Sequence, residues 1–411
     1  MRTRRLTTVA ATLILLVLAA CGRSLAPARV VRIDPAEGDI PELVSFPSMV
    51  WSGTAPGGRL AAWLSPGAVL VRDDVAFPYL ASDGEHVRLE FTRWGARLAG
   101  RIVSLDLQQD SAATWLEHAQ EADLAGLRWV SLNDSPEPVA RAALARLAAA
   151  NPHVGLALSG GEVSRTLPLF RPLALSISDS AASISAQLAR QPQIEILYLA
   201  IKDSASLDVL RRLPHLRQLM VDGSSVREAD QAQASLEALI VFNATLDVSR
   251  LRDLPRLRTL SLSGSRWRNA SELPALPRLR TFGFASNTTQ AEFAAIIRAH
   301  PDLEAIELMG VDSVTDLSPL RGARQLKAVA LGGRFRNLDV LRDLTSLRFV
   351  GFSKEMWDDS PEQVAAIRAA LSAADVVVVQ VIPLCLGSGW ILLLVPAAAL
   401  TMLAARRTRR A

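Results

Sequence analysis

The chain has 411 residues, of which 50% are apolar and 21% charged, a balance that excludes a disordered chain and leaves ample length for a large buried core. Its net charge of +4 comes from two short stretches. Arg2, Arg4 and Arg5 precede one apolar run and Arg406, Arg407, Arg409 and Arg410 follow another, and without these seven the span 22–381 holds 38 basic and 41 acidic residues, a net of −3. A protein that neutralises phosphates carries a basic surplus, so nucleic acid is disfavoured as a partner.

In chain order, the first predicted element is a signal peptide over 1–20. Three arginines form its basic start, and Leu6 to Ala20 forms an apolar run too short to span a bilayer comfortably. The run ends in Leu18-Ala19-Ala20-Cys21, which resembles the lipobox of bacterial lipoproteins. That resemblance implies diacylglycerol on the Cys21 thiol and Cys21 as the new N-terminus; Gly22 after it resembles lipoproteins sent on to the outer membrane. The competing reading is an ordinary signal peptide or an uncleaved anchor. Residues 21–29 suit a short lipid tether.

Residues 30–100 are expected to form a β-rich cap or small β-domain. Runs such as Val69-Leu70-Val71 and Val87-Arg88-Leu89-Glu90-Phe91 alternate with Gly- and Pro-containing turns.

From 101 to 380 a repeat dominates. The frame apolar-x-x-apolar-x-apolar recurs at Ile194/Leu197/Leu199, Leu216/Leu219/Val221, Leu236/Leu239/Val241 and Leu257/Leu260/Leu262. It continues at Leu279/Phe282/Phe284, Leu303/Ile306/Leu308, Leu326/Val329/Leu331 and Leu347/Val350/Phe352, with starting positions 20 to 24 residues apart. Looser copies lie upstream at Ile102/Leu105/Leu107, Leu127/Val130/Leu132, Leu156/Leu158 and Leu175/Ile177. The last two apolar positions, two residues apart, share one face of a strand. Leucines three apart in the linkers (Leu210/Leu213, Leu251/Leu254, Leu273/Leu276, Leu341/Leu344) form the inward face of a helical turn. One such coil cannot bury these faces alone, whereas stacked coils share a continuous core.

The pattern resembles the leucine-rich repeat family, closest to the 22-residue bacterial type of internalin-like proteins. The implied fold is an α/β solenoid with parallel strands on a concave face. Asn287 is the one copy of the family's asparagine after the strand; Lys202, Ser224, Ala244, Ser265, Val311 and Arg334 stand elsewhere, so an irregular solenoid is expected. PEQVAAIRAAL (361–371) reads as a closing helix and Val376–Val379 as a last strand.

Residues 381–405, uncharged throughout, are long enough for a transmembrane helix. The arginines of 406–411 then mark a cytoplasmic tail, with the body on the far side of the membrane. Gly387-Ser388-Gly389-Trp390, the apolar run and the basic tail also resemble bacterial sorting tails cleaved after export. A retained helix would hold the protein in the inner membrane whatever Gly22 implies. The expected location is the bacterial cell envelope, with the body in the periplasm or otherwise outside the cytoplasm.

Cys21 and Cys385 are the only cysteines, so the body has no disulfide framework, zinc-thiolate site or cysteine nucleophile. Its five histidines show no ligand spacing, and no Gly-rich phosphate loop, HExxH or GxSxG is present. The expectation is a non-enzyme without catalytic residues, metal or cofactor. The remaining frame positions face outward, and Tyr198, Met220, Ile240 and Phe242 fall on adjacent strands beside a run of small residues. They are expected to form a concave apolar patch that binds an unidentified protein or peptide, unless the N-terminal β-region folds over them or they pack locally. The alternatives are an envelope spacer, or a glycan-binding or hydrolytic role for 30–100, where Trp51, Trp63 and Trp94 offer stacking planes.

Overall fold

The structure, a computed structural model, describes the strands within 29–98 and residues 100–379 apart from 108–109, 133–139, 202–207 and 224–234. The expected signal peptide (1–20), Cys21, the expected tether up to residue 28, the run 381–405 and the tail 406–411 lie outside the described residues. Among the described residues no helix is long and apolar enough to cross a membrane.

The N-terminal strands are β1 (Arg29–Pro35), β2 (Leu43–Phe46), β3 (Val50–Ala55), β4 (Arg59–Leu64), β5 (Val69–Arg72), β6 (Val75–Pro78), β7 (His86–Thr92) and β8 (Gly95–Leu98). The first coils contribute β9 (Arg101–Asp106), β10 (Trp129–Leu132), β11 (Gly155–Ser159) and β12 (Ala174–Asp179). Then follow β13 (Ile196–Ile201), β14 (Gln218–Asp222), β15 (Ala238–Phe242), β16 (Thr245–Asp247), β17 (Thr259–Ser261) and β18 (Arg266–Arg268). The last are β19 (Thr281–Gly283), β20 (Ala305–Met309), β21 (Ala328–Gly332), β22 (Phe349–Ser353) and β23 (Asp375–Val379). From β9 to β23, with β16 and β18 set aside, each strand of the main sheet pairs in parallel with its successor. One strand per coil, all parallel and in chain order, is a solenoid of leucine-rich coils.

The frame leucines fill the core. Leu197, Leu199, Leu219, Leu239, Leu260, Leu262, Phe282, Phe284, Ile306 and Leu331 are all fully buried. They meet Leu210, Leu213, Leu251 and Leu341 of the return legs, whereas Leu273 packs only in part. The return legs are of two kinds. The first coils return through helices, α1 (Asp110–His118), α2 (Glu121–Gly126), α3 (Arg141–Ala150), α4 (Gly161–Thr166) and α5 (Ala181–Leu188). Later coils use 3₁₀ turns at Asp208–Arg212, Val248–Asp253, Ser318–Gly322 and Leu338–Asp343. The 24-residue step from Leu279 to Leu303, the longest among the eight clear copies of the frame, returns through α6 (Gln290–Ala299). Thr289 and Glu292 close a capping box at its start, and Phe293 packs edge-on to Phe284 at 5.3 Å. After α7 (Lys354–Asp359), α8 (Pro361–Ala370) supplies the predicted closing helix and leads into β23.

Without a repeated asparagine, other side chains satisfy the coil interior. Ser265 Oγ donates to Val241 O at 2.8 Å and accepts from the Ala244 amide at 3.3 Å. Asn287 bridges Trp267, accepting from its amide and donating to its carbonyl, each at 3.0 Å. Gln290 accepts from the Thr315 and Asp316 amides and donates to Asp316 O. Buried backbone groups need such partners, and a varied set here does the work of one repeated residue.

The strands of 29–98 join the same sheet. β7, β8 and β9 form an antiparallel series, β1 pairs antiparallel with β4 and parallel with β7, and β3 pairs with β4. β3 also meets the far end of the repeat array, through Thr54 opposite Val378 and Gly53 opposite Val379. The N-terminal strands therefore contact both the first and the last repeat strand. β2, β5 and β6 make a separate antiparallel sheet, and β6 packs against β8, β9 and β10.

Candidate functional site

Parallel pairing carries one position of each strand into a single row across the sheet. Ser131 lies opposite Ala157, then Ser176, Tyr198, Met220, Ile240 and Ser261 follow in register. The row continues through Gly283, Glu307, Ala330, Gly351 and Val377. Tyr198, Met220 and Ile240 are thus direct neighbours, as the frame predicts. Phe242 sits opposite Asp222 at the end of the adjoining strand.

Their exposure differs from the expectation of an open patch. Tyr198 is 8% exposed, Met220 1% and Ile240 0%; Phe242 alone is half-buried. The alternating pattern of a strand assigns a side chain to a face but says nothing about what covers that face. The small-residue stretch also differs from a bare surface, because its neighbours lean into it. A β-carbon at Gly283 would collide with the Ser261 side chain, one at Gly332 would stand 2.9 Å from Met309 Sδ, and one at Gly351 would collide with Val379 Cγ2. Across Gly283, Ser263 Oγ donates to Glu307 Oε1 at 2.6 Å, and both residues are buried. Glycine lets these two side chains meet from strands that are not adjacent.

Beyond the strand ends, a ladder that the frame does not encode links successive coils. Asn243, Asn269 and Asn337 have positive φ (51°, 57° and 60°), which asparagine tolerates better than most residues. Their Nδ2 atoms donate to Asp222 at 2.8 Å, Asp247 at 3.0 Å and Asp316 at 2.7 Å. Asp316 also accepts from the Ser318 amide and hydroxyl, and these bonds, the amide first, hold its carboxyl below the usual carboxylate range. Burial pushes the His300 imidazole down. Among the described residues no group of His, Cys, Asp or Glu has the arrangement of a metal site. The repeated Asp-x-Ser in Asp247-Val248-Ser249 and Asp316-Leu317-Ser318 is the sequence signal for the aspartate half of this ladder.

No protein-family model matches the chain, and no curated protein does. Among solved structures, an internalin of Listeria monocytogenes is similar over 64% of this chain and 92% of its own, at 16% identity and a TM-score of 0.39. The mouse RP105/MD-1 complex is similar over 56% of this chain and 42% of that one, at 17% identity and a TM-score of 0.37. A leucine-rich repeat protein of Leptospira interrogans is similar over 62% and 90%, at 12% identity and a TM-score of 0.29. At scores this low the likeness adds nothing to the strand register described above.

Proposed function

We propose that this chain is a non-catalytic protein-binding scaffold of the bacterial cell envelope. A lipid on Cys21 and a transmembrane helix over 381–405 anchor it, and the row Tyr198, Met220 and Ile240, with the more accessible Phe242 two residues beyond Ile240 on the same strand, contributes the binding surface. The observation that carries this reading is the register: three large apolar side chains stand side by side on three adjacent parallel strands, with small residues along most of the row beyond them. A solenoid presents such rows as extended surfaces. Because Met220 and Ile240 are buried, a partner engages first at Phe242, and the deeper members contribute only where the face is uncovered.

Phe242 is the position to probe, since it is half-buried and its replacement leaves the core intact. A photocrosslinking amino acid at Phe242, in membranes from the producing cell, should capture a discrete protein, and Phe242→Arg should abolish recovery of that protein by the full chain. Unchanged recovery with Phe242→Arg and no adduct at that position would refute the binding role of this row. The burial of Met220 and Ile240 favours a second reading, a structural spacer, under which Phe242→Arg changes nothing but the local surface.

A further inference from the structure

The residue before each repeat strand bonds through its backbone to its equivalents in the neighbouring coils. The amide of Arg217 donates to Glu195 O, Glu237 to Arg217, Arg258 to Glu237, Arg280 to Arg258, Glu304 to Arg280, Lys327 to Glu304 and Arg348 to Lys327, all at 2.7–2.8 Å. These side chains form one file along the edge where the strands begin. Over most of the file, opposite charges alternate and pair. Arg217 lies 3.0 Å from Glu237 and 3.9 Å from Glu195, and Glu304 lies 2.9 Å from Lys327 and 3.9 Å from Arg280.

The alternation fails at Lys327/Arg348 and, with a second arginine beside each member, at Arg258/Arg280. Arg258 is followed by Arg280, and two residues earlier in the same coils Arg256 is matched by Arg278. The cause is a repeated Pro-Arg-Leu-Arg, at 255–258 and 277–280, in identical phase with the coil. Arg256, Arg258 and Arg278 are exposed and, among the described residues, have no ion pair; Arg280 donates to Leu279 O at 2.9 Å and lies 3.7 Å from Asp302 and 3.9 Å from Glu304. Four guanidinium groups therefore crowd two coils whose strands are about 4.8 Å apart. Like charges opposite one another on neighbouring strands repel, and an anion between them relieves the repulsion.

We propose that Arg256, Arg258, Arg278 and Arg280 form a docking surface for an acidic segment of a protein partner. Each guanidinium offers a fork that a carboxylate accepts with two parallel bonds. The patch is two coils wide and is flanked by Glu237, Asp302 and Glu304, on a body of net charge −3 over 22–381. A short run of carboxylates fits within those flanks, whereas a long polyanion or a sheet of phosphate headgroups meets like charge beyond them. This surface is separate from Phe242 and from the row Tyr198, Met220 and Ile240, and does not depend on either binding anything.

The test uses the full chain in detergent and a labelled oligo-glutamate peptide, with binding read by fluorescence anisotropy at low and physiological salt. The triple variant R256E/R258E/R278E should weaken binding about tenfold or more while leaving the thermal unfolding midpoint unchanged. R256K/R258K/R278K, which keeps charge and loses the fork, should lose an intermediate amount. R266E/R268E/R336E, which reverses three exposed arginines outside the file, should bind like the parent. Equal loss in the two charge-reversal variants, or no loss in the first, overturns the proposal. So does tighter binding of an oligonucleotide or of phosphatidylglycerol vesicles than of the peptide, either of which assigns the patch to phosphate. Phe242 crosslinking in the R256E/R258E/R278E background separates failure here from failure of the concave row.

Discussion

Asp316 shows what a single side chain contributes between coils. It accepts from the Ser318 amide at 2.8 Å, the Ser318 hydroxyl at 2.9 Å and Asn337 Nδ2 at 2.7 Å, so it starts one 3₁₀ turn and ties it to the next coil. Asp247 does the same with Ser249 and Asn269. Asp316→Ala should cost about 1 kcal/mol, the usual net worth of a hydrogen bond. Because the folded carboxyl titrates below its ordinary value of 3.8, its contribution is complete above that pH and disappears as pH falls through the lower folded value. The parent should therefore lose stability more steeply than Asp316→Ala on acidification below about pH 4, measured as the denaturant midpoint against pH. Parallel curves would show that the Asp316 charge is not engaged. The sequence announces the capping half of this arrangement as Asp-x-Ser. The asparagine partners, 21 and 22 residues on, become legible only once the coils are stacked, because period alone does not say which polar side chains face each other.

At the scale of elements, the apolar frame predicts the repeat strands from Leu197/Leu199 to Val350/Phe352, and the structure has a strand at each. The frame reads well because a strand between two equivalent strands is fixed by neighbours one period away. Return legs are less legible, because leucines three apart suit an α-helix or a 3₁₀ turn alike, and coils of equal length take either: Leu175 to Leu197 returns through a helix and Leu197 to Leu219 through a 3₁₀ turn. The pairing of β3 with β23 leaves no sequence signal, since it joins residues 53–54 to 378–379 across almost the whole chain. Thr54→Cys/Val378→Cys tests it directly. Paired positions on antiparallel strands lie within disulfide reach, and the native cysteines are only Cys21 and Cys385. Oxidation should give an intramolecular crosslink, seen as faster non-reducing migration, with a raised unfolding midpoint. Failure to form while the protein stays folded would mean that β3 does not lie against β23. The pairing also has a protective consequence, because Asp375-Val376-Val377-Val378-Val379 would otherwise present an apolar edge strand.

For the whole molecule, the charge distribution carries two kinds of information. The terminal arginines read as topology signals, and they predict an integral membrane lipoprotein. Alkaline extraction should leave the protein in the membrane fraction, and intact mass should show loss of 1–20, gain of a diacylglyceryl group on Cys21 and retention of 381–405. Release by alkali would remove both anchors from the proposal, a mass without lipid would remove the one at Cys21, and a mass lacking 381–405 would remove the helix. The internal charges, net −3 over 22–381, say little as a sum, because their placement matters more. Stacking sets the two Pro-Arg-Leu-Arg copies side by side, which identical tetrapeptides 22 residues apart do not reveal by themselves. The sequence by itself determined the period, the inward-facing leucines, the parallel solenoid and the adjacency of Tyr198, Met220 and Ile240, since each follows from side-chain direction along a repeating backbone. Only the tertiary structure decided that this row is buried, that strands of 29–98 reach both ends of the array, and that four arginines crowd two coils. These depend on which surfaces meet across long separations or across the stack, and a local pattern carries no record of such contacts.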